Sequence, residues 1–367
     1  MKALDLALIG CGAVVGELHL GAIRRLARQS LVNVTVLVDR NQTRAGKLRR
    51  FFPGALCFAE VDDAFAARAV DLALVASPAG LHRSHIDTVL THGGHVLCEK
   101  PLATSARDAA EVARLSERLD RIVMVGLTRR FFPSLATAAA MVARGELGDY
   151  VEFRCFEGSV YSWPVASDAP FSREIGGGGV LSDKGVHVLD SLLWLFGKMQ
   201  VVRSEDDALA GGVEANCRIS LEGDRARGVM QLSWDQQLAN SLHITGASGD
   251  LFVAPNEFGW IEFQGANHQR ERRPCRADWP ETLAAHDGKR LMPRTYEDCV
   301  YLEWIQFLRA VVLQEPVAVD ASSAVTVSEQ IETAYAQASP LLQSWLTPEE
   351  QAAAVRRHWH STPLFAK

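Results

Sequence analysis

The chain has 367 residues and a mass of 40.2 kDa, a length that predicts two domains. Hydrophobic residues make up 48% of it and charged residues 22%, ordinary values for a globular protein that exclude a disordered or collagen-like chain. With 38 basic and 44 acidic side chains the net charge is −6, and the basic footprint of a nucleic-acid-binding protein is absent from the sequence.

Membrane, export and metal roles are also not expected. No apolar run reaches the roughly 18 residues that a membrane-spanning helix needs, and the first residues, with Asp5 inside a short apolar stretch, do not fit a signal peptide. The seven cysteines are scattered and contain no Cys-x-x-Cys pair, which argues against a disulfide framework and a structural zinc site. We therefore expect no metal, no membrane partner and a reduced, cytoplasmic setting.

In the first third of the chain, short apolar segments alternate with helical patterns. Strands are predicted at 4–10, 32–38, 71–76, 95–98 and 122–126, with helices at 13–28, 41–51, 84–92 and 105–119. The strands are apolar on both faces, as buried parallel strands are. The pattern predicts an α/β domain with a doubly wound parallel sheet over residues 1–126.

The pattern changes near residue 126. Alternating segments predict strands at 149–156, 213–220, 226–234 and 240–246, and helical patterns lie at about 180–196, 296–314 and 321–338. We expect an α+β domain with a mostly antiparallel sheet over residues 127–345. Its last helices are candidates for packing back on the first domain, and a tail follows at 346–367.

The first predicted strand ends in a glycine-rich turn, Gly10-Cys11-Gly12-Ala13-Val14-Val15-Gly16. Two glycines allow a tight turn and let backbone amides approach a pyrophosphate at the start of a helix. Val15 stands where Gly or Ala is usual, and we expect it to loosen helix–strand packing and Gly16 to compensate. The turn predicts a dinucleotide site formed by residues 10–15.

Asp39 lies at the end of the second predicted strand, 27 residues after Gly12. A carboxylate there can accept hydrogen bonds from the adenosine ribose hydroxyls and repels a 2′-phosphate, which favours NAD over NADP. Arg40 keeps NADP open, because a neighbouring guanidinium can bind that phosphate. A helix N-cap is the alternative role for Asp39.

Two further strand ends carry unusual residues. Ser77-Pro78 is followed by His82 and His85, with a proline-initiated turn as the alternative interpretation. At the other end stands Glu99-Lys100-Pro101. Because a residue before proline is pushed out of the α region, we expect Lys100 to lie extended at the carboxyl edge of the sheet, where ligands bind. Lysine accounts for only seven of the 38 basic residues, so its presence in this motif favours a specific role, with an ordinary surface lysine as the alternative.

Four glycines, Gly176 to Gly179, precede a predicted helix that carries polar residues on one side. These are Asp183, His187, Asp190 and Trp194. Asp183 and His187 are neighbours at a spacing of four. A neutral imidazole can take a hydroxyl proton while a carboxylate fixes its tautomer, so this pair and Lys100 are candidates for the proton step of alcohol oxidation. A satisfied buried network is the alternative.

Six motifs stand together in this chain. They are Gly10-Cys11-Gly12, Ser77-Pro78 with His82, Glu99-Lys100-Pro101, Arg130-Phe131 with Pro133, Gly145-Glu146-Leu147-Gly148, and Gly177 to Gly179 with Asp183, His187 and Asp190. In this combination the sequence, from residue 4 to about 340, resembles the glucose–fructose oxidoreductase / inositol dehydrogenase / rhizopine catabolism family, often written Gfo/Idh/MocA. It departs from that family at Val15 and at Ala79, where Asn is frequent, and both positions concern the packing of the cofactor.

The resemblance implies a Rossmann domain that binds NAD or NADP through the turn, Asp39, Arg40, Ser77, Pro78, His82, Glu99 and Lys100. It implies that Lys100 bridges nicotinamide and substrate hydroxyl, that His187 is the acid–base group and that Asp183 assists it. It also implies an open antiparallel sheet that often forms homodimers or homotetramers, and substrates among sugars, cyclitols and nucleotide-linked sugars.

Further substrate contacts are open. Arg130, Tyr161, Trp163 and Arg173 are candidates, and packing in the core or in a loop is the alternative for the last three. A second group of arginines is compatible with a nucleotide diphosphate, although we expect a solvated loop there: Arg270, Arg272, Arg273 and Arg276. The sequence predicts an NAD(P)-dependent dehydrogenase or ketoreductase. A redox glycosidase that keeps NAD bound and a non-enzymatic dinucleotide-binding sensor are the alternatives.

Overall fold

A computed structural model describes residues 2–165, 171–208, 212–265, 269–276, 292–344 and 346–352. The chain divides into two units. The first contains the described residues up to 131 together with those from 292 to 328, and the second contains the other described residues.

The first unit is built around a six-stranded parallel sheet. Its strands are β1 (Leu4–Ile9), β2 (Val32–Val38), β3 (Leu56–Phe58), β4 (Leu72–Val75), β5 (His95–Glu99) and β6 (Val123–Gly126). Their spatial order is β3-β2-β1-β4-β5-β6, which is the order of a Rossmann fold with its switch point between β1 and β4. Every residue of β4 and β6 is buried, as expected for strands covered on both faces. The predicted fold class is confirmed for this half.

Helices connect the strands of both units. They are α1 (Leu20–Arg28), α2 (Gln42–Arg49), α3 (Val61–Ala67), α4 (His82–Thr91), α5 (Ala106–Leu119), α6 (Pro133–Ala143), α7 (Arg173–Gly176), α8 (Val186–Phe196), α9 (Tyr296–Leu313) and α10 (Ala321–Gln337). Short turns of π-helix precede α1 and α8, at Val15–His19 and Leu181–Gly185.

The first unit differs from the predicted domain of residues 1–126. The chain after β6 continues in the 3₁₀ turn Thr128–Phe131, which packs on α9. The Thr128 hydroxyl donates to the Glu303 carboxylate at 3.1 Å, and the Cys299 thiol donates to the Phe131 carbonyl at 3.3 Å. Because α9 also contacts α1, residues 292–328 group with the Rossmann sheet and interrupt the predicted second domain. Of the predicted tail at 346–367, residues beyond 352 lie outside the described part of the chain.

The second unit contains a nine-stranded sheet. Its strands are β7 (Val151–Gly158), β8 (Met199–Asp206), β9 (Asn216–Gly223), β10 (Ala226–Ser233), β11 (Ser241–Gly246), β12 (Gly249–Val253), β13 (Trp260–Gly265), β14 (Arg270–Pro274) and β15 (Ala338–Pro340). The spatial order is β14-β13-β12-β11-β7-β10-β9-β8-β15. Neighbours are antiparallel except for β7 with β10 and β15 with β8. The sheet is therefore mostly antiparallel, as predicted.

One face of this sheet is covered and the other is open. Along β7, Val151, Phe153 and Cys155 are buried while Glu152 and Arg154 are exposed. The Phe153 ring stacks on Phe196 of α8 with centroids 5.2 Å apart, so α8 covers the apolar face. The helix that carries Asp183 and His187 is thereby fixed to the sheet by its apolar side.

Candidate functional site

The glycine turn after β1 has the backbone that its sequence predicts. Gly10 has φ of +90°, and a Cβ there would lie 2.5 Å from the Ala76 carbonyl oxygen at the end of β4, so no other residue fits. A Cβ at Gly12 would meet no atom within 4 Å. The space in front of the turn is therefore open, and the turn fits the pyrophosphate of a dinucleotide.

Gly16 does not compensate for the bulk of Val15 as expected. Val15 is completely buried, whereas Gly16 is exposed and a Cβ there would meet no atom within 4 Å. The helix starts with a π-turn at Val15–His19, whose wider hydrogen-bonding pattern coincides with the bulky residue. Gly16 is therefore not the compensation for Val15, because it faces away from the packed side.

Asp39 joins the end of β2 to the glycine turn. Its Oδ2 accepts the Cys11 amide at 2.9 Å and its Oδ1 accepts the Asn41 amide at 2.8 Å. The N-cap of α2 is Asn41, whose side chain accepts from Thr43, so Asp39 itself does not cap the helix. Each Asp39 oxygen keeps a lone pair that fits a ribose hydroxyl. Burial and the neighbouring Asp39 charge raise the pKa of Cys11 to about 12, so Cys11 is a neutral thiol.

Arg40 is exposed and pairs with Glu60. Its guanidinium Nε donates to Glu60 Oε1 at 3.2 Å. A carboxylate next to this arginine makes the surroundings less favourable for a 2′-phosphate, since the anion would have to displace Glu60 or share the arginine with it.

His82 holds two strand ends together from inside the first unit. It is 1% exposed, with Nε2 2.8 Å from the Ser77 carbonyl oxygen and Nδ1 2.8 Å from the Pro101 carbonyl oxygen. Burial lowers the pKa of His82 despite these two carbonyls. We expected this residue to bind the cofactor, but its burial makes it a tie between the segments that carry Ser77-Pro78 and Lys100.

His85 orients the Ser77 side chain. The Ser77 hydroxyl lies 2.9 Å from His85 Nδ1, and burial lowers the pKa of His85 to about 4. The imidazole is therefore neutral near pH 7. At the carboxyl end of β4, next to the turn at Gly10, Ser77 is half-buried and Pro78 is exposed.

Lys100 follows β5 and is preceded by a buried, ionised carboxylate. Glu99 Oε2 accepts the Lys100 amide at 3.2 Å, and Oε1 lies 2.7 Å from His19 Nε2. Burial by itself raises the pKa of Glu99, but the hydrogen bond with His19 and the charge of Lys100 outweigh it and lower that pKa. Trp304 of α9 completes the chain, because its indole N–H donates to His19 Nδ1 at 3.0 Å.

A second buried carboxylate lies in the same unit. Glu303 is fully buried and accepts the Thr128 hydroxyl, and burial together with the Glu99 charge raises the pKa of Glu303 well above its ordinary value. The charge of Glu99 therefore favours the neutral form of Glu303, and the pKa values of these two carboxyl groups are shifted in opposite directions. His19, Trp304 and Glu303 were not predicted from the sequence, since no local pattern marks them.

Arg130 lies in the turn Thr128–Phe131, near Asp320. Burial would raise the pKa of Asp320, but hydrogen bonds from Ser323 and Ser322 and the charge of Arg130 lower it. Arg130 is half-buried at this position, so it remains a candidate for a substrate contact from the first unit.

In the second unit, the predicted helix at 180–196 begins with a π-turn and continues as α8. Asp183 and His187 are half-buried, but Asp190 is 1% exposed and belongs to the interior. Asp190 lies three residues after His187 within the regular helix α8, so the two remain neighbours on the helix, but the helix is covered at Asp190. Lys184, which had no expected role, donates from Nζ to the Ser159 hydroxyl at 2.8 Å.

Aromatic rings surround Asp183. Its Oδ2 accepts the Trp234 indole N–H at 3.3 Å. The Tyr161 ring packs edge-on against Trp234 with centroids 5.1 Å apart and against Phe171 at 5.3 Å. Burial and the Asp183 charge raise the pKa of Tyr161. Tyr161 thus lies beside a candidate acid–base residue, whereas Trp163 is exposed in the bend that follows β7.

Arg173 begins α7 and is engaged within the second unit. Its guanidinium carbon lies 4.6 Å from the centroid of the Tyr335 ring, within the range of a cation–π contact. The Tyr335 hydroxyl in turn donates to Glu214 at 2.8 Å. This arrangement gives Arg173 a packing role, which was the alternative to a substrate contact.

Arg270, Arg272 and Arg273 lie in strand β14, not in the expected solvated loop, and Arg276 follows that strand, where its amide donates to the Thr137 hydroxyl at 3.0 Å. Arg270 and Arg272 both pair with Glu262 on β13, and Arg273 pairs with Glu271 and Glu146. The same three guanidinium groups stack on aromatic rings. These guanidinium charges are paired with carboxylates, and their planar faces lie on aromatic rings. The three arginines are therefore poorly placed to bind a nucleotide diphosphate.

Two absences concern the described part of the chain. Its helices include none that combines the length and the apolar character needed to cross a bilayer. Within the same residues, no three His, Cys, Asp or Glu side chains converge in a way that could hold a metal ion.

Two family models match the chain, one in the first part of each unit. Residues 4–127 match the description "Oxidoreductase family, NAD-binding Rossmann fold" of the Gfo/Idh/MocA proteins, and residues 135–252 match the "GFO/IDH/MocA C-terminal domain". Among solved structures, levoglucosan dehydrogenase in complex with NADH and levoglucosan aligns with a TM-score of 0.77 at 19% identity, covering 92% of this chain and 98% of that chain. At this identity the likeness shows the fold.

Two curated proteins are similar in sequence over part of the chain. The rhizopine catabolism protein MocA of Rhizobium meliloti is 30% identical over 219 residues, 59% of this chain and 65% of that protein. The inositol 2-dehydrogenase of Corynebacterium glutamicum is 29% identical over 201 residues, 54% of this chain and 56% of that enzyme. The match thus spans less than two thirds of either relative. With both family domains present, the chain belongs to the Gfo/Idh/MocA family and contains its NAD-binding Rossmann domain.

Proposed function

We propose that the protein is an NAD-dependent oxidoreductase that interconverts a secondary hydroxyl and a ketone on a sugar, a cyclitol or a nucleotide-linked sugar. The observation that carries the proposal is Lys100, which follows β5 at the carboxyl edge of a Rossmann sheet next to the ionised Glu99. Ligands of such sheets bind at this edge. Family membership and the curated dehydrogenase relative support the same reaction class.

Residues of the chain itself transfer the proton of the substrate hydroxyl. When bound, the nicotinamide exchanges a hydride with the substrate carbon. Lys100 carries a compact ammonium that can donate a hydrogen bond to the substrate oxygen and give it a proton, and the neutral amine that results can take the proton back. His187 is the acid–base group on the second unit, and Asp183 assists it. The indole N–H of Trp234 holds the Asp183 carboxylate in place.

NAD is the proposed cofactor in preference to NADP. Asp39 has lone pairs available for the ribose hydroxyls and a charge that repels a 2′-phosphate. Arg40 pairs with Glu60, and this pairing weakens the attraction of Arg40 for the 2′-phosphate of NADP. The contacts proposed for the cofactor are the turn at 10–15, Ser77 and Pro78, Glu99 and Lys100, and His82 supports them from inside.

The substrate class rests on the relatives and on the polar groups available. The similarity to an inositol 2-dehydrogenase suggests a polyhydroxylated ring. Lys100, Asp183 and His187 supply donors and acceptors for several hydroxyls, and Tyr161 supplies an aromatic edge beside Asp183. Arg130 and Trp163 are further proposed contacts. Arg173 is a weaker candidate because Tyr335 already engages it.

A panel of free sugars, cyclitols and nucleotide sugars, each assayed with NAD and with NADP, tests the proposal. The expected result is a rise of NADH absorbance with at least one polyol. Release of a free sugar without net change in NADH would instead identify a redox glycosidase. Binding of NAD with no turnover of any panel member would favour a non-enzymatic sensor.

We further propose that two or four copies associate through the open face of the nine-stranded sheet. Val202 of β8 is 54% exposed on this unit, and Glu152 and Arg154 of β7 are exposed on the uncovered face. Light scattering should give a dimer or tetramer for the purified chain, and Val202→Asp should shift it toward monomer. A monomeric wild type contradicts this assembly. All seven cysteines are free, which supports a reducing compartment such as the cytoplasm.

A further inference from the structure

Glu214 is a buried carboxylate at the start of the helix that carries Asp183 and His187. It is 1% exposed and lies just before β9. Its Oε1 accepts the Leu181 amide at 2.9 Å and the Gly179 amide at 3.1 Å, and Oε2 lies 3.2 Å from the same Gly179 nitrogen. These amides belong to the first turn of the helix, where donors have no partner within the helix.

The backbone of Glu214 contacts the same turn. The Val180 amide donates to the Glu214 carbonyl at 3.0 Å, so three successive amides are bound by one residue. A Cβ at Gly179 would lie 2.0 Å from that carbonyl oxygen. Gly179 is therefore a glycine because the Glu214 backbone passes directly over it.

Tyr335 of α10 fixes the Glu214 side chain from the other side. Its hydroxyl donates to Glu214 Oε1 at 2.8 Å, and a Cβ at Gly178 would lie 1.9 Å from that hydroxyl. The glycine run before the helix thus has a packing reason in its second half. Arg173 stacks on the Tyr335 ring, so the cluster extends to the segment that precedes the glycines.

We propose that Glu214 is a positioning residue, whose carboxylate holds the first turn of the 181–196 helix and thereby sets the positions of Asp183 and His187. A negative charge is favourable at this end of a helix because the free amides point toward it. The catalytic part of this inference rests on the proposed function, in which Asp183 and His187 act on the substrate. The structural part, protection of the Gly179 and Leu181 amides, does not.

The hydrogen bonds that the Glu214 carboxylate accepts from these amides depend on pH. Burial raises the pKa of Glu214 to about 7, with the charge of Asp206 adding to the rise, while the Leu181 amide, its own backbone amide and the Tyr335 hydroxyl lower it. Cys217 of β9 and Asp207 are the other titratable groups facing this cluster, and Arg173 is the nearby cation. Above pH 7 the carboxylate is ionised and binds the amides most strongly. Below it, protonation weakens the hold.

The test compares Glu214→Gln and Tyr335→Phe with the wild type, and uses Glu174→Gln, an exposed glutamate of α7, as the matched control. Hydrogen exchange mass spectrometry of peptides from residues 176–187 is measured at pH 8 and pH 6. Glu214→Gln should speed exchange of the Gly179 and Leu181 amides on the order of tenfold at pH 8, with a smaller difference from wild type at pH 6. Tyr335→Phe removes one hydrogen bond that lowers the pKa of Glu214. The change in amide exchange that accompanies protonation of Glu214 should therefore occur at a higher pH in this variant than in the wild type.

Kinetics with the best panel substrate form the second arm. Glu214→Gln should lower kcat about 10- to 100-fold with KM and the Kd for NAD changed less than about threefold. Unchanged exchange in Glu214→Gln, or unchanged kcat alongside altered exchange, would overturn the positioning role. A wild type that turns over no substrate would instead overturn the proposed function, and the exchange arm would still decide whether Glu214 holds the helix. Tyr335→Phe keeps the test decisive if Glu214→Gln fails to fold.

Discussion

The Trp304 indole N–H donates to His19 Nδ1 at 3.0 Å, and this bond fixes the protonation of a buried pair. Because indole can only donate, Nδ1 must carry a lone pair, and the proton of the neutral ring lies on Nε2. Nε2 can then donate to Glu99 Oε1 at 2.7 Å. The chain of Trp304, His19 and Glu99 therefore keeps Glu99 ionised one residue before Lys100.

Replacing His19 by Leu should destabilise the first unit in a pH-dependent way. The variant leaves Glu99 buried without its strongest donor, which costs about 2–3 kcal/mol at pH 7. The pKa of Glu99 is lowered in the folded state, so its contribution to stability is present above the unfolded pKa and is lost as pH falls through the folded one. The deficit of His19→Leu should therefore persist from pH 7 down to the ordinary pKa of a glutamate, about 4.3, and shrink as pH falls below it.

Thermal unfolding of both chains at a series of pH values measures this deficit. His92→Leu, a substitution of an exposed histidine in the same unit, is the control. A deficit that keeps the same size as pH falls well below the ordinary pKa of a glutamate would mean that the loss is one of packing alone. Trp304→Phe should show the same trend with a smaller amplitude, because it frees His19 Nδ1 without removing the donor to Glu99.

Substitutions at Lys100 and His187 test the proton step. Lys100→Met and His187→Asn should each lower the rate ~10²–10⁴-fold, the usual contribution of acid–base catalysis. NAD should still bind to each of these variants, which a fluorescence titration measures. Lys100→Arg should be nearly as slow as Lys100→Met, since a guanidinium keeps the charge but does not release a proton. Lys198→Met is the control on an exposed lysine, and near-normal turnover in both single variants would sink the assignment.

Local patterns predicted the parts of the fold that local physics determines. Strands buried on both faces and a glycine turn at Gly10 predicted the Rossmann half. The three-residue strand β3 is too short for a pattern, and β14, with arginines at three of its five positions, has the composition of a surface loop. The pairing of these arginines with Glu262, Glu271 and Glu146 and their stacking on rings become visible only when β13 lies alongside.

The candidate site also contains residues that could be predicted from the sequence and residues that could not. Asp39 and the turn were predictable because strand ends of a parallel sheet share one edge. His19 was not, because its partners are 80 residues away at Glu99 and 285 residues away at Trp304. Glu214 similarly reaches the Gly179 amide across 35 residues. Buried polar groups must find partners, but a single sequence does not say which distant side chain provides them.

Cofactor preference should respond to Asp39 and to Glu60 separately. Asp39→Asn keeps one oxygen that can accept a hydrogen bond from the glycine turn, and it removes the negative charge. The ratio of NADP affinity to NAD affinity should therefore rise on the order of tenfold or more, the size of effect that a charge interaction has when it shifts a pKa by one unit. Glu60→Gln leaves the turn untouched and releases Arg40, so NADP binding should tighten by a few-fold, on the scale of a surface ion pair, with NAD binding unchanged. Titration of both dinucleotides into each purified variant measures the ratio, and an unchanged ratio in Asp39→Asn would exclude Asp39 as the discriminator.

The wild type should lose stability as pH rises, and Glu303→Gln should not show this loss. Burial raises the pKa of Glu303, so its contribution to stability is full below the unfolded pKa and is lost as pH rises through the folded pKa. Gln is an uncharged near-isostere that still accepts the Thr128 hydroxyl bond seen at 3.1 Å. The two chains should therefore have similar Tm values near the unfolded pKa of a glutamate. Between that pKa and the folded one, the wild type should lose about 1.4 kcal/mol for each pH unit relative to the variant, and above the folded pKa the difference should level off.

Calorimetry of wild type and Glu303→Gln from about pH 5 to about pH 9.5 measures this difference, since the range begins just above the ordinary pKa of a glutamate. Glu297→Gln, on the exposed side of the same helix, is the control and should follow the wild type. A wild type that loses no more stability than Glu303→Gln across this range would show that the carboxyl group ionises without cost, and therefore that water reaches it inside the folded unit.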